Sequence, residues 1–341
     1  MNLKKILSNR FIEKYAYMEI VHEWEDDFSE QLNIPIVSSG FVRPNYEKLI
    51  YNRVSSQLLN NFFLVGLLQK INQLFNSKNK SLYFDLYPVS TFLNSNSVRV
   101  NNIPIIIDFW KYENTDNFYN AYKNCKIVFI TSLEVLNYLK RIGIKLDMYH
   151  LPVSLSDRYR SIPQFKRKKS IDIVLAGRRD KKLTAYLTLF CEKYKDVEYV
   201  FQVQRDGNIY YESNKRGIIG VVNSREEYLN LIGSGLISFY STPGIDDGAI
   251  RTGGFNPVTP RYLELLAAKC FLLGRYPENE ETDFFELQKV CPNIDNYEQF
   301  ESILLSYLNK KNSIHDFDIY DSILNKHYTS NRITELLRVV N

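Results

Sequence analysis

From residue 170 onward, short β-branched runs alternate with segments whose apolar residues recur every three or four positions. That rhythm predicts βαβ units around a parallel sheet. Residues 171–176 predict a strand stopping at Gly177, with a helix over 182–194. Further strands are expected over 197–203, 217–222, 236–240 and 270–273. A helix over 224–232 opens on Ser224, with Glu226 and Glu227 in its first turn, a favourable start. Another helix is expected over 260–268, and 280–341 reads mostly as helices.

The first half follows the same grammar less regularly. Strands are expected over 81–86, 103–109 and 126–131, and a helix over 133–142 ending at Gly143. The stretch 47–75 has helical spacing of Leu49, Val54, Leu58, Leu59, Phe62 and Phe63. Residues 154–170, with Pro163 and the run Phe165-Lys-Arg-Lys-Lys169, are the linker candidate. No repeat of 20–50 residues is present, which excludes solenoids and propellers. The expectation is an α/β protein with domains over 1–155 and 156–325 and a closing helical segment over 326–341. In open α/β sheets ligands bind outside the carboxyl ends of the strands, so residues just after each strand are the place to seek chemistry.

Composition narrows this picture only in part. The chain has 341 residues, 45% hydrophobic and 24% charged, which excludes disordered, collagen-like and coiled-coil classes. Its four cysteines, Cys125, Cys191, Cys270 and Cys291, lie far apart, so neither a disulfide framework nor a zinc knuckle is indicated. Lys4, Lys5 and Arg10 are not followed by an apolar signal core. The longest apolar runs, 62–68 and 103–107, fall short of the ~20 residues that span a bilayer. A cytoplasmic protein in a reducing compartment is expected.

Charge is more informative by position than in total. The net charge is +4, yet residues 156–182 carry ten cations against three carboxylates, a local +7 that leaves about −3 elsewhere. Lys166, Arg167, Lys168 and Lys169 read as a solvated linker. Arg178, Arg179 and Lys182 follow a strand end, where an anionic ligand belongs. Nucleic acid is disfavoured, since a pI above about 9 would be expected and the chain's is 8.6.

The richest stretch runs from Tyr240 to Ala268. A loop of about 19 residues separates strand from helix, where about 2–6 is usual. It contains Gly244, Gly248, Gly253 and Gly254, which let backbone amides approach a ligand. Thr259-Pro260 is an N-cap followed by a first-turn proline. Arg261 in that first turn opposes the helix dipole unless an anion offsets it. Glu264, three residues on, shares its face. A carboxylate there can accept two hydrogen bonds from a ribose diol while Arg261 and the amides hold a diphosphate.

Thr259-Pro-Arg-Tyr-Leu-Glu-Leu-Leu-Ala-Ala-Lys-Cys270, preceded by the Gly-rich loop and by Gly177-Arg178, resembles the nucleotide-sugar half of GT-B glycosyltransferases, the group 1 and spore-maturation-protein-like branch. The likeness covers residues 171–287, with a shorter similarity over 128–153. It implies two Rossmann-like domains facing a cleft, the second holding the nucleotide sugar and the first the acceptor. Carried over by position, Glu264 would take the ribose hydroxyls, with Thr259, Arg261 and Tyr262 around it. Gly177, Arg178 and Lys182 would face the diphosphate. Gly253 and Gly254 would approach the phosphates or donor sugar, and Val222 would offer backbone groups to the base. The resemblance implies no cofactor and no catalytic metal, the nucleotide sugar being a substrate. Many retaining members carry a second Glu eight positions before the ribose Glu. Here that position is Asn256, so a carboxylate contact would shift to Asp246 or Asp247, or the enzyme inverts.

An inverting transferase needs a general base near the acceptor hydroxyl. Asp108 follows a strand, with a turn-capping Asp as the alternative. Glu23 and Asp26 lie three apart within His22-Glu-Trp-Glu-Asp-Asp27, where an acidic helix start is the alternative. His150 reads as structural. The expected activity is transfer to a glycan or lipid-linked acceptor in cell-surface polysaccharide assembly, of lipopolysaccharide or capsule type. Lys4, Lys5, Arg10 and the basic linker would favour an anionic membrane surface. The alternative is a GT-B-like nucleotide- or glycan-binding module without turnover. An NAD-linked enzyme would need a G-x-G-x-x-G turn, which is missing.

Overall fold

The computed structural model describes residues 2–11, 18–38, 79–86, 102–109, 115–123, 125–161, 169–205, 208–222, 224–246, 248–311 and 316–341. The expected helix over 47–75, most of the basic run 165–169 and Asp247 lie outside them. The chain forms two compact units. One comprises Met1–Val153, Ile250–Phe255 and Thr329–Asn341, the other Ser154–Ala249 and Asn256–Tyr328.

The first unit is built on a six-stranded sheet of order β2-β1-β3-β4-β5-β6, every pair parallel. Its strands are β1 (Asn2–Ser8), β2 (Ile36–Ser38), β3 (Asn79–Leu86), β4 (Asn102–Ile107), β5 (Val128–Ile130) and β6 (Met148–His150). Its helices are α1 (Glu19–Leu32), α2 (Thr115–Tyr122) and α3 (Leu133–Arg141). All six residues of β4 are buried, as a strand covered on both faces requires. Ser132 caps α3 by accepting from the Val135 N–H, and Gly143 at φ +81° follows its end. β1 was not foreseen, because Lys4 and Lys5 break its apolar pattern.

The second unit carries a mixed six-stranded sheet, order β10-β9-β8-β7-β11-β12. The strands are β7 (Ile171–Leu175), β8 (Tyr199–Arg205), β9 (Asn208–Ser213), β10 (Gly217–Val221), β11 (Gly235–Ser241) and β12 (Phe271–Arg275). Helices α4 (Lys181–Lys193), α5 (Arg225–Ser234), α6 (Gly248–Thr252), α7 (Pro260–Ala267), α8 (Glu280–Phe284), α9 (Tyr297–Leu308) and α10 (Asp318–His327) accompany it. α11 (Thr329–Val340) returns to the first unit. Leu183, Leu187 and Phe190 of α4 meet Phe300 and Leu304 of α9 and Ile173, Ile237 and Leu273 of the sheet.

One expectation is corrected here. No crossover helix lies between β8 and β10 among the described residues. Instead β9 pairs antiparallel with both. Two reversals restore the direction, so the carboxyl end of β10 still faces the same edge as that of β7. β7 pairs β8 on one side and β11 on the other, so the sheet's switch point lies between β7 and β11. That is the crevice where open α/β sheets bind ligands.

Candidate functional site

At this switch point a shallow depression is lined by Ala176, Arg178, Arg179, Asp180, Phe239 and Ser241. Gly177, just past β7, adopts φ +76°, and a Cβ on it would overlap the guanidinium of Arg261. Glycine is therefore required twice over at this turn. Arg261, in the first turn of α7, donates from Nη1 to the Arg178 carbonyl at 3.1 Å, while its buried Nε has no hydrogen-bond partner. A buried cationic donor left unmatched is costly, so the place invites an anion.

Glu264, one turn further along α7, is 3% exposed. Arg225, the first residue of α5, forms an ion pair with its Oε1, and the Tyr228 hydroxyl donates to Oε2 at 3.1 Å. Burial first, and the Glu264 charge second, push the Tyr228 hydroxyl far above its ordinary range. It therefore stays protonated and donates. The site thus joins Gly177, Arg178, Arg261 and Glu264, as the sequence suggests, and adds Arg225 and Tyr228. Contacts from a neighbouring helix leave no local spacing signal, which is why these two went unseen.

Arg178 and the other expected residues also make contacts within the fold. Arg178 donates to the carbonyls of Ser241 at 2.8 Å and Pro243 at 3.2 Å, so it holds the start of the long loop. Tyr262, expected at the donor, is wholly buried and donates its hydroxyl to the Phe285 carbonyl at 3.0 Å. It anchors α7 in the core. Lys182 donates to the Asp295 carbonyl at 2.7 Å. Thr259 occupies the N-cap of α7 without a side-chain cap bond; its N–H donates to the Tyr240 hydroxyl at 3.0 Å. Val222 follows the last residue of β10, a strand exposed along its whole length. Gly253 and Gly254 take φ of +68° and +89° and belong to the first unit.

The loop's carboxylate and amide are also engaged. Arg275, at the end of β12, bridges Asp246 and the buried Asp180, which caps α4. The Arg275 hydrogen bond holds Asp246 below the usual carboxylate range, with the Lys182 charge a smaller contributor. Asn256 accepts from the Thr242 hydroxyl at 2.7 Å, closing the base of the loop. The middle of the loop is anchored in the first unit, where Phe255 packs on Phe109 and Tyr138.

Within the first unit, Asp108 lies at the carboxyl end of β4, half-buried, with φ +55°. Asp tolerates this left-handed conformation better than most residues. Glu23 is buried within α1, and Asp26 pairs with Arg10 at 2.6 Å. Arg10 also donates from Nε to Glu25 at 2.9 Å, and Ser8 donates to the same carboxylate at 2.6 Å. Glu25, 2% exposed, is raised above its ordinary range by burial, against the opposing Ser8 and Arg10 bonds. The cluster sits inside α1 rather than at its start, and it ties down the turn after β1. Arg10 is accordingly engaged within the molecule. No helix among the described residues is long and apolar enough to cross one.

No protein-family model matches the sequence, and no curated protein matches it. Solved structures do. The crystal structure of TarM aligns with a TM-score of 0.54 at 10% identity, covering 77% of this chain and 55% of that one. A Listeria monocytogenes protein assigned as a UDP-N-acetylglucosamine 2-epimerase gives 0.51 at 11% identity over 99% and 95%. The lipopolysaccharide outer core galactosyltransferase WaaB gives 0.50 at 11% identity over 100% and 99%. The chain has the GT-B fold. It spans about half the length of TarM, and at these identities the likeness is one of fold alone. A fold shared by a transferase and a protein assigned as an epimerase leaves the chemistry to be argued from the site.

Proposed function

We propose that the protein transfers a sugar from a nucleoside diphosphate sugar to a glycan or lipid-linked saccharide acceptor in cell-surface polysaccharide assembly. The observation that carries this reading is the second unit's switch point, where Arg261 lies against Gly177 and Glu264 follows one helical turn later. A diphosphate there would take the unmatched Arg261 Nε and the start of α7. Glu264 would accept the ribose hydroxyls. Cations at the diphosphate stabilise the charge that builds on it as the glycosidic bond breaks. Asp108 is our candidate base for the acceptor hydroxyl, as a half-buried carboxylate just past the end of β4. Asp26, paired with Arg10, serves the turn after β1 better than a proton transfer, and Glu23 is buried within α1.

The test begins with thermal shift against UDP, GDP, CMP and dTDP. A ligand at 100 times its Kd stabilises by about 2.7 kcal/mol, so the accepted base declares itself. Glu264→Ala and Arg261→Ala should each weaken nucleotide binding at least about tenfold, the worth of one charge-assisted bond, with unchanged circular dichroism. Parental affinity in both variants would remove the donor site from this place. Turnover is then read as nucleotide released from the matching sugar nucleotide, with and without saccharide acceptors. Binding without release would support the module reading, and release with the sugar inverted at C2 would indicate epimerase chemistry.

A further inference from the structure

The carboxylate assigned to the ribose is closed. At 3% exposure, with Arg225 on Oε1 and the Tyr228 hydroxyl on Oε2, Glu264 has lone pairs left but no room for a diol. One cover must move before ribose can enter. Tyr228 lies a turn into α5, short and two-jointed. Arg225 is the first residue of that helix, its long side chain is 17% exposed, and its guanidinium lies 5.5 Å from the Tyr228 ring centre. It is the cover whose charge an incoming phosphate can take up.

Leaving has a condition. Withdrawing a guanidinium from a nearly buried carboxylate breaks a charge-assisted bond and is unfavourable unless another anion receives it. Glu264 stands one turn from Arg261 on α7, so Arg225, paired with Glu264, starts about one helical turn from the cation proposed to hold the diphosphate. A nucleoside diphosphate offers Glu264 two hydroxyls and offers Arg225 a phosphate. A bare nucleoside offers only the hydroxyls.

Resting on the donor-site reading above, we propose that Arg225 is an exchange residue: it occupies Glu264 in the empty site and moves to the donor's phosphates on binding. The ribose carboxylate then opens only to a phosphorylated nucleotide. Arg225 thereby makes the site select nucleoside diphosphates over nucleosides, a discrimination that Glu264 alone would not provide.

The experiment is isothermal titration of the full chain with uridine and UDP and with guanosine and GDP. Arg225→Ala should bind the nucleoside about fivefold more tightly than the parent and the diphosphate about tenfold more weakly, the latter being one charge-assisted bond. Tyr228→Phe, which leaves the exchange in place, should move both affinities in the same direction. Since Arg225→Ala leaves Glu264 without its cation, Arg225→Gln is the companion variant. It still donates to Glu264 but gives phosphate no charge, so only diphosphate affinity should fall. If Arg225→Ala weakens nucleoside and diphosphate alike, or changes neither, Arg225 merely positions Glu264 and the exchange is overturned. If the parent binds no nucleotide at all, the donor-site reading fails and this inference with it.

Discussion

At position 177 two demands meet: a left-handed φ of +76° and a guanidinium lying where a Cβ would stand. An alanine there would be strained by its backbone and would push Arg261 aside. Gly177→Ala should therefore cost about 1–3 kcal/mol of stability and weaken nucleotide binding, read by denaturant titration and calorimetry on one preparation. A variant that lost stability but bound nucleotide normally would separate the turn from the site. Individual residues were the least legible level of the sequence. Arg261 and Glu264 could be located because Thr259-Pro260 announces a helix start. Arg178 was located just as well, yet its partners, the Ser241 and Pro243 carbonyls, belong to another strand's loop and leave no trace in local spacing.

Two helices deliver the site, and one side chain holds their far ends. Lys169 donates to the Gly233 carbonyl near the end of α5 at 3.0 Å and to the Ala268 carbonyl after α7 at 2.6 Å. A cation at helix carboxyl termini is favoured by both dipoles. Burial lowers the Lys169 pKa from its ordinary value. Lys169→Met leaves two carbonyls unmatched and should lose about 1–3 kcal/mol in thermal or denaturant unfolding, with a smaller effect on nucleotide affinity than Arg261→Ala. The sequence assigned this lysine to a solvated linker, because a charge run looks the same whether one member turns inward or not. Elements with β-branched runs and caps were legible: Ser224 accepts from the Glu227 N–H as its spacing predicts. β9 was not, since Asn-Ile-Tyr-Tyr-Glu-Ser has neither alternation nor an apolar run, and its antiparallel pairing followed from that omission.

On the scale of the molecule, the last helix is tied to the first unit's sheet through Arg332, 2% exposed, whose Nε donates to the Pro152 carbonyl at 3.1 Å. Beside it His150 is lowered to about 4, chiefly by burial and then by the Arg332 charge. The folded protein therefore keeps His150 neutral where the unfolded chain, with a pKa near 6.5, takes up a proton. Stability from this group is complete above about pH 6.5 and is lost as pH falls toward 4, by at most about 3 kcal/mol. Denaturant titrations from pH 7.5 to 4.5 should show that slope, and His150→Gln should flatten it. The first unit is also discontinuous in sequence: it takes Ile250–Phe255 and Thr329–Asn341 from beyond the second unit's start. A gene fragment ending at Val153 would thus lack Phe255 and α11, baring the faces they cover, and one spanning 154–328 would display Phe255 with nothing to bury it. Neither half can be excised as a clean cut of the chain, so dissecting this protein calls for circular permutation or co-expression of complementary pieces rather than truncation.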